Sequence, residues 1–237
     1  MIIKNKFLKI STITVLLLAV ISVIVYASSF SKDSKPNDAY SSDEIKDTRI
    51  SFATWWHYPD IQSLVDRADI IIVGESIGTD DPIKVFDKLI IPDDANEDML
   101  KHFEEVKDEF YRIVTNSNVK VHKVIKGNID EGSLIKINQN GGIYEGTQYI
   151  VDGIELFEKN LNTVFFLQDN SHNEVIPYCT LNPYDGHLYI KNGKTQPNLG
   201  SSALKGSFTE CEIIELLTQK VKQSNENNTG TLSQKNP

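Results

Sequence analysis

Trp55, Trp56, His57 and Tyr58 form the densest run of ligand-capable side chains in the chain, and they include both of its tryptophans. Indole and phenol rings offer a wide apolar face with a polar tip. Such a run suits stacking on a glycan or anchoring a protein partner. The plainer use, favoured by how often tryptophan is buried, is a lid closing one end of a small barrel. Cys179 and Cys211 are the only cysteines. An even count in an exported chain permits a disulfide between the strand region and the last helix. It would close a loop of about 30 residues and stabilise the fold by about 3 kcal/mol. The alternative is two unpaired thiols, and Cys179 carries no local signature of a nucleophile. His57, His102, His122, His172 and His187 show none of the HxH, HExxH or CxxC spacings of a zinc site. No metal or other cofactor is therefore expected. Asp93, Asp94, Glu97 and Asp98 lack the turn glycine and terminal bidentate Glu of a calcium loop. Carboxylates in a first helical turn follow from the helix dipole alone. Neither a Gly-x-Ser-x-Gly elbow, a Ser-x-x-Lys pair, a phosphate loop nor a dinucleotide fingerprint occurs. No residue is assigned a catalytic role, and an enzyme is the weaker class.

The elements that must position these residues are arranged around Ala68–Glu75. Ile70-Ile71-Ile72-Val73 reads as a fully buried strand that bends at Gly74. Ahead of it, Ile61, Leu64, Val65 and Ala68 make an apolar helical stripe with Asp60 as its N-cap. Lys84–Ile91 fits neither period. Ala95–Phe110 predicts a helix with Leu100, Phe103, Val106 and Phe110 on one face. Tyr111–Ile125 predicts a strand interrupted at Asn116-Ser117-Asn118, joined as a hairpin through Asn128–Gly132 to the alternating Ser133–Gln139. Asn140-Gly141-Gly142 then breaks the sheet, and Thr147–Phe157 reads as a loop or weak strand. Asn162–Gln168 is a further buried strand. Val175–Tyr178 and His187–Lys191 are short strands, the second turning at Asn192-Gly193. Ser207-Phe208-Thr209-Glu210 reads as a capping box opening the last helix, whose buried face is Ile213, Leu216, Leu217 and Val221. Strands in short connections flanked by helices imply an α+β fold, a small antiparallel β-barrel with a helical insertion, a short N-terminal helix and a C-terminal helix.

Lys4, Lys6 and Lys9 precede an apolar run, Ile10–Tyr26, and Val25-Tyr26-Ala27 offers small residues at the positions a signal peptidase reads. Residues 1–27 are thus expected to be a signal peptide, or an uncleaved membrane anchor. No cysteine lies near the end of the run, so a lipoprotein is excluded. Residues 28–49 read as a flexible tether, 50–222 as one domain and 223–237 as a disordered tail. The formal charge is −9, and about −12 once the three signal lysines leave. That charge repels phosphate backbones, so no nucleic-acid partner is expected. It also disfavours anionic head groups, leaving membrane contact to the N-terminal segment alone.

The ordered series Ala68-Asp69-Ile70-Ile71-Ile72-Val73-Gly74, then Val119–Gly127, then Gly141-Gly142, then Val164-Phe165-Phe166-Leu167 resembles a group of uncharacterised bacterial exported proteins. It is also similar to the OB-fold module of tissue inhibitors of metalloproteinases and netrin-like domains, across Asp60–Lys191. That resemblance implies an OB-like barrel and no activity. The inhibitors chelate zinc through an N-terminal Cys, whereas a cleaved form of this chain would begin at Ser28, so inhibition is not implied. The expectation is a non-catalytic extracytoplasmic domain binding an unidentified protein or cell-envelope ligand, with Trp55, Trp56, His57 and Tyr58 as candidate contacts. The alternative is an envelope-acting hydrolase whose acids and histidines are dispersed in sequence.

Overall fold

The structure is a computed structural model that describes residues 45–86, 91–151, 154–196, 201 and 203–233. The expected signal segment and the tether up to residue 44 lie outside these residues. In chain order the elements are β1 (Asp47–Ser51), α1 (Ile61–Arg67), β2 (Ile70–Thr79), β3 (Ile83–Phe86), α2 (Glu97–Val106), β4 (Tyr111–Lys126), β5 (Leu134–Asn140), β6 (Gly142–Tyr144), β7 (Thr147–Val151), β8 (Asn162–Asp169), β9 (Tyr178–Thr180), β10 (His187–Lys191), β11 (Lys194–Gln196) and α3 (Glu210–Ser233).

Four consecutive β-branched residues make sense because the first half of β2, Ile70–Val73, has no solvent face. Ile70 and Ile72 point into a core with Val119, Val121, Ile137 and Phe165. Ile71 and Val73 face the opposite way, under Leu64 and Val65 of α1 and Ile213 and Leu217 of α3. A strand buried on both sides reads as an unbroken apolar run rather than an alternating one. The bend at Gly74 coincides with a register shift between Val73 and Gly74 in the β2–β4 pairing. A Cβ there would lie 2.6 Å from the Lys120 carbonyl oxygen, so only glycine lets β4 approach.

β2, β4, β5, β9 and β8 form a closed ring. All contacts are antiparallel except β5–β9, which is parallel. The fold is therefore a small α+β barrel, but a mixed one, not the antiparallel one expected. The reason is geometric. Direction cannot alternate all the way round a ring with an odd number of strands, so one contact has to be parallel. A second sheet, β1–β7–β6, lies beside the ring and contains another parallel pair, β1 with β7. β1 begins inside the segment expected to be a tether.

The Ala-Asp and Lys-Gly signatures meet at one junction. Lys126 Nζ donates to the Val65 carbonyl at the end of α1 (2.8 Å), and Asp69 Oδ2 accepts the Asp169 N–H at the end of β8 (3.0 Å). Burial depresses the Lys126 amine below its ordinary value, opposed by Asp66 and Asp69. Gly127, at φ +97°, turns immediately over Ile70.

Three expectations are corrected. β4 runs unbroken through Asn116 and Ser117, both buried. α2 buries none of its residues, and Leu100 and Phe110 stay exposed. α3 continues through residues 223–233, where composition suggested disorder. No helix among the described residues is long and apolar enough to cross a membrane.

Candidate functional site

A polar stretch at the end of β5, Asn138-Gln139-Asn140, meets the ends of β8 and β9, the strand β10 and the loop after β7. Between them lies a cleft of about 990 Å³. Its wall carries the amides Asn138, Gln139, Asn140, Asn170, Asn173 and Asn182 and the rings of Trp55, Tyr184 and Tyr189. The deeper amides are locked in place. Asn138 Nδ2 donates to Asn116 Oδ1 (3.0 Å), and Gln139 Oε1 accepts from Ser117 Oγ (2.8 Å) and from the Phe157 N–H (3.0 Å). That network is why polar residues interrupt the apolar pattern of β4 without interrupting the strand.

The aromatic segment is fixed from below by a buried carboxylate. Asp185 is wholly buried. Its Oδ1 accepts from Ser201 Oγ (2.8 Å) and the Ala203 N–H (3.2 Å). Its Oδ2 accepts from Asn182 Nδ2 (3.3 Å) and the Tyr58 N–H (3.4 Å), with His57 Nδ1 at 3.7 Å. Asn182 Nδ2 also donates to the Trp56 carbonyl (2.7 Å). Backbone and side-chain bonds thus pin residues 56–58 to the 182–185 turn.

The four candidate residues then separate. Trp55 is half-buried and lines the cleft, and its indole N–H is buried with no hydrogen-bond partner among the described residues. Trp56 is 78% exposed and lies outside the cleft wall. His57 stacks on Tyr184, with ring centroids 5.6 Å apart. Tyr58 packs against the core beneath the helices. The ring that fills the barrel is Phe157, edge-on to Phe165 at 5.0 Å, and not a tryptophan.

Cys179 and Cys211 are free thiols, the alternative to the bridge that their even count permits. Cys179, on β9, faces the cleft and accepts a hydrogen bond from Asn170 Nδ2 (3.2 Å). Burial pushes its pKa up, which keeps it protonated and a poor nucleophile. Cys211 lies exposed on the first turn of α3. Among the histidines, His102 is exposed, and His122 sits 3.4 Å from Glu75 on the outer face of the barrel. His172 and His187 line the cleft. His187 lies edge-on to Phe157 and Tyr189, and burial pulls its pKa down to about 4. It is a neutral imidazole near pH 7. Among the described residues no group of three or more His, Cys, Asp or Glu could hold a metal ion. Of the acidic cluster, Glu97 and Asp98 lie in the first turn of α2 behind the N-cap Asn96, as the dipole argument requires.

A second lobe of about 440 Å³ continues the cleft past Trp55, Arg112, Asn140 and Ile150, which line both. Arg49, Tyr111 and Tyr149 belong to this lobe alone. The two tyrosine hydroxyls are 3.4 Å apart, and Arg49 Nη1 donates to Tyr111 Oη at 3.3 Å. The contact with Tyr149, aided by Arg49 and Lys84, lowers the Tyr111 pKa, while the same contact raises that of Tyr149.

The chain matches no protein-family model, no curated protein and no solved structure. The site has therefore to be read from its own chemistry. The amide and arginine contributions escape sequence reading because they come from separate elements. Only the polar run Asn138–Asn140, within an otherwise alternating strand, could have signalled them.

Proposed function

We propose that the protein is a non-catalytic binding domain of OB-like type, acting outside the cytoplasm at the cell envelope and holding an oligosaccharide in the cleft. The observation that carries this reading is the lining itself: fixed side-chain amides beside aromatic rings. Sugar hydroxyls need donors and acceptors at set positions, and the apolar face of a sugar ring needs a flat partner. Trp55 supplies such a ring, and its buried, unsatisfied N–H is the kind of donor that a ligand acceptor resolves.

Topology supports the OB-like part. β2, β4 and β5 follow one another in the ring, and the fourth ring strand, β8, returns beside the first, a Greek-key order. In OB barrels the face of the second and third strands and the loop between the fourth and fifth bind oligonucleotides and oligosaccharides. Here the third strand, β5, and the β8–β9 loop, through Asn170 and Asn173, line the cleft. The net charge of −9 disfavours the nucleotide option. The lysine-led apolar N-terminus supports the extracytoplasmic placement.

Calorimetric titration of the full chain with a β-1,4-linked N-acetylglucosamine trisaccharide tests the reading. Saturable binding, weakened about tenfold by Trp55→Ala, is expected. No binding, or binding that Trp55→Ala leaves unchanged, contradicts it. Recovery of the sugar intact supports a binding domain, whereas cleavage products would indicate the hydrolase.

A further inference from the structure

Among the described residues β1 is the one strand whose every side chain, Asp47–Ser51, is exposed. One edge of it pairs with β7, and no described strand lies on the other. Such an edge presents a row of backbone N–H and C=O groups to any strand that meets it. Ile50 is 57% exposed and Phe52, just past the strand, 79%. An edge of this kind is commonly guarded by like charges. β1 carries opposite ones, Asp47 and Arg49, two positions apart and so on one face. Their contact within the strand is long, 3.8 Å from Asp47 Oδ2 to Arg49 Nε, and both side chains are exposed. Arg49 also donates to Tyr111 Oη (3.3 Å), which uses one of its five N–H groups.

Opposite charges at i and i+2 are self-complementary when two copies of a strand meet antiparallel. Alternate residues turn their backbone to the same edge, so a two-fold axis between the copies must fall on a residue. Centred on Thr48, the axis sets Asp47 of each copy against Arg49 of the other, and Lys46 against Ile50. Centred on Asp47 or Arg49, it sets like charges face to face. Centred on Ile50, it carries Asp47 past the end of the strand to Ala53. One register therefore stands out. Residues 46–52 hold one more cation than carboxylate, so this edge escapes the self-repulsion that a net charge of −9 imposes elsewhere. We infer that two copies of the chain join edge to edge through β1, antiparallel about Thr48. Their β1–β7–β6 sheets then become one six-stranded sheet. This dimer is independent of what the cleft binds.

Cysteine cross-linking of the full chain tests it, in a background of Cys179→Ser with Cys211→Ser. In the dimer the two Thr48 residues face each other about 5 Å apart, within disulfide reach. The two Ser51 residues lie six positions apart along the paired strands, about 20 Å. At about 100 µM chain, mild diamide oxidation should link Thr48→Cys into a covalent dimer and leave Ser51→Cys monomeric. Adding Arg49→Asp to Thr48→Cys should cut the yield about tenfold or more, because like charges then face each other. Exchanging the pair, Asp47→Arg with Arg49→Asp, should restore it. No dimer at Thr48→Cys, or equal linking at both positions, overturns the inference. So does a yield that Arg49→Asp leaves unchanged, or one that the exchange fails to restore.

Discussion

His187 shows how much one side chain in the cleft wall can decide. Burial against Phe157 and Tyr189 holds its pKa at about 4, so the folded protein carries it neutral. In the unfolded chain it titrates at about 6.5. A group whose folded pKa is depressed contributes its stability above the unfolded pKa and loses it as pH falls toward the folded one. Between pH 7 and pH 5 the protein should therefore lose about 2 kcal/mol of unfolding free energy from this residue alone. Urea melts of the native protein and of His187→Gln at the two pH values would read it. The variant is expected to be nearly insensitive across that window, and an equal loss in both proteins would assign the pH dependence elsewhere. Asp185 follows the opposite rule: a buried carboxylate is tolerated because its two oxygens accept from Ser201, Ala203, Asn182 and Tyr58.

At the level of elements, the start of α3 separates what local sequence can say from what it cannot. Two capping boxes overlap there, Ser207 with Glu210 and Thr209 with Glu212. The structure uses the second: Glu212 Oε2 accepts the Thr209 N–H (2.8 Å), and Thr209 Oγ1 accepts the Glu212 N–H (3.3 Å). The choice is made by a partner distant in sequence. Thr195 on β11 bonds Phe208 through its N–H (2.7 Å) and its hydroxyl (2.8 Å), which holds Phe208 outside the helix. Thr209→Ala should therefore cost about 1 kcal/mol, and Ser207→Ala less than about half of that, in thermal or urea unfolding. The reverse order would restore the first box. The same division explains the rest. α1, β2, the β4–β5 hairpin and the β10–β11 turn at Asn192-Gly193 were legible because period and turn chemistry are local. The continuity of β4 through Asn116 was not, because the Asn138 amide that pairs with it lies 22 residues away. The cleft was legible only through Trp55. Its amides and arginines are neighbours in space and carry no shared spacing in sequence.

For the whole molecule, two apolar layers account for the architecture. One fills the barrel around Phe157 and Phe165, and the other lies between the outer face of β2, β8 and β10 and the helices α1 and α3. The cleft opens beside β5, β9 and β10, where Asn138, Asn140, His187 and Tyr189 line it. A negatively charged chain with a polar, amide-lined cleft suits a sugar-based ligand better than a nucleic acid. The central claim, that this cleft holds an oligosaccharide, is tested most directly by side-chain amide NMR. The isotope-labelled full chain would be titrated with the N-acetylglucosamine trisaccharide. The NH₂ resonances of Asn140, Asn170, Asn173 and Asn182 and the Trp55 indole N–H are expected to shift on saturation, while those of Gln62 and Gln219, on the helices, stay in place. Shifts confined to the helices, or none at saturating sugar, would contradict it.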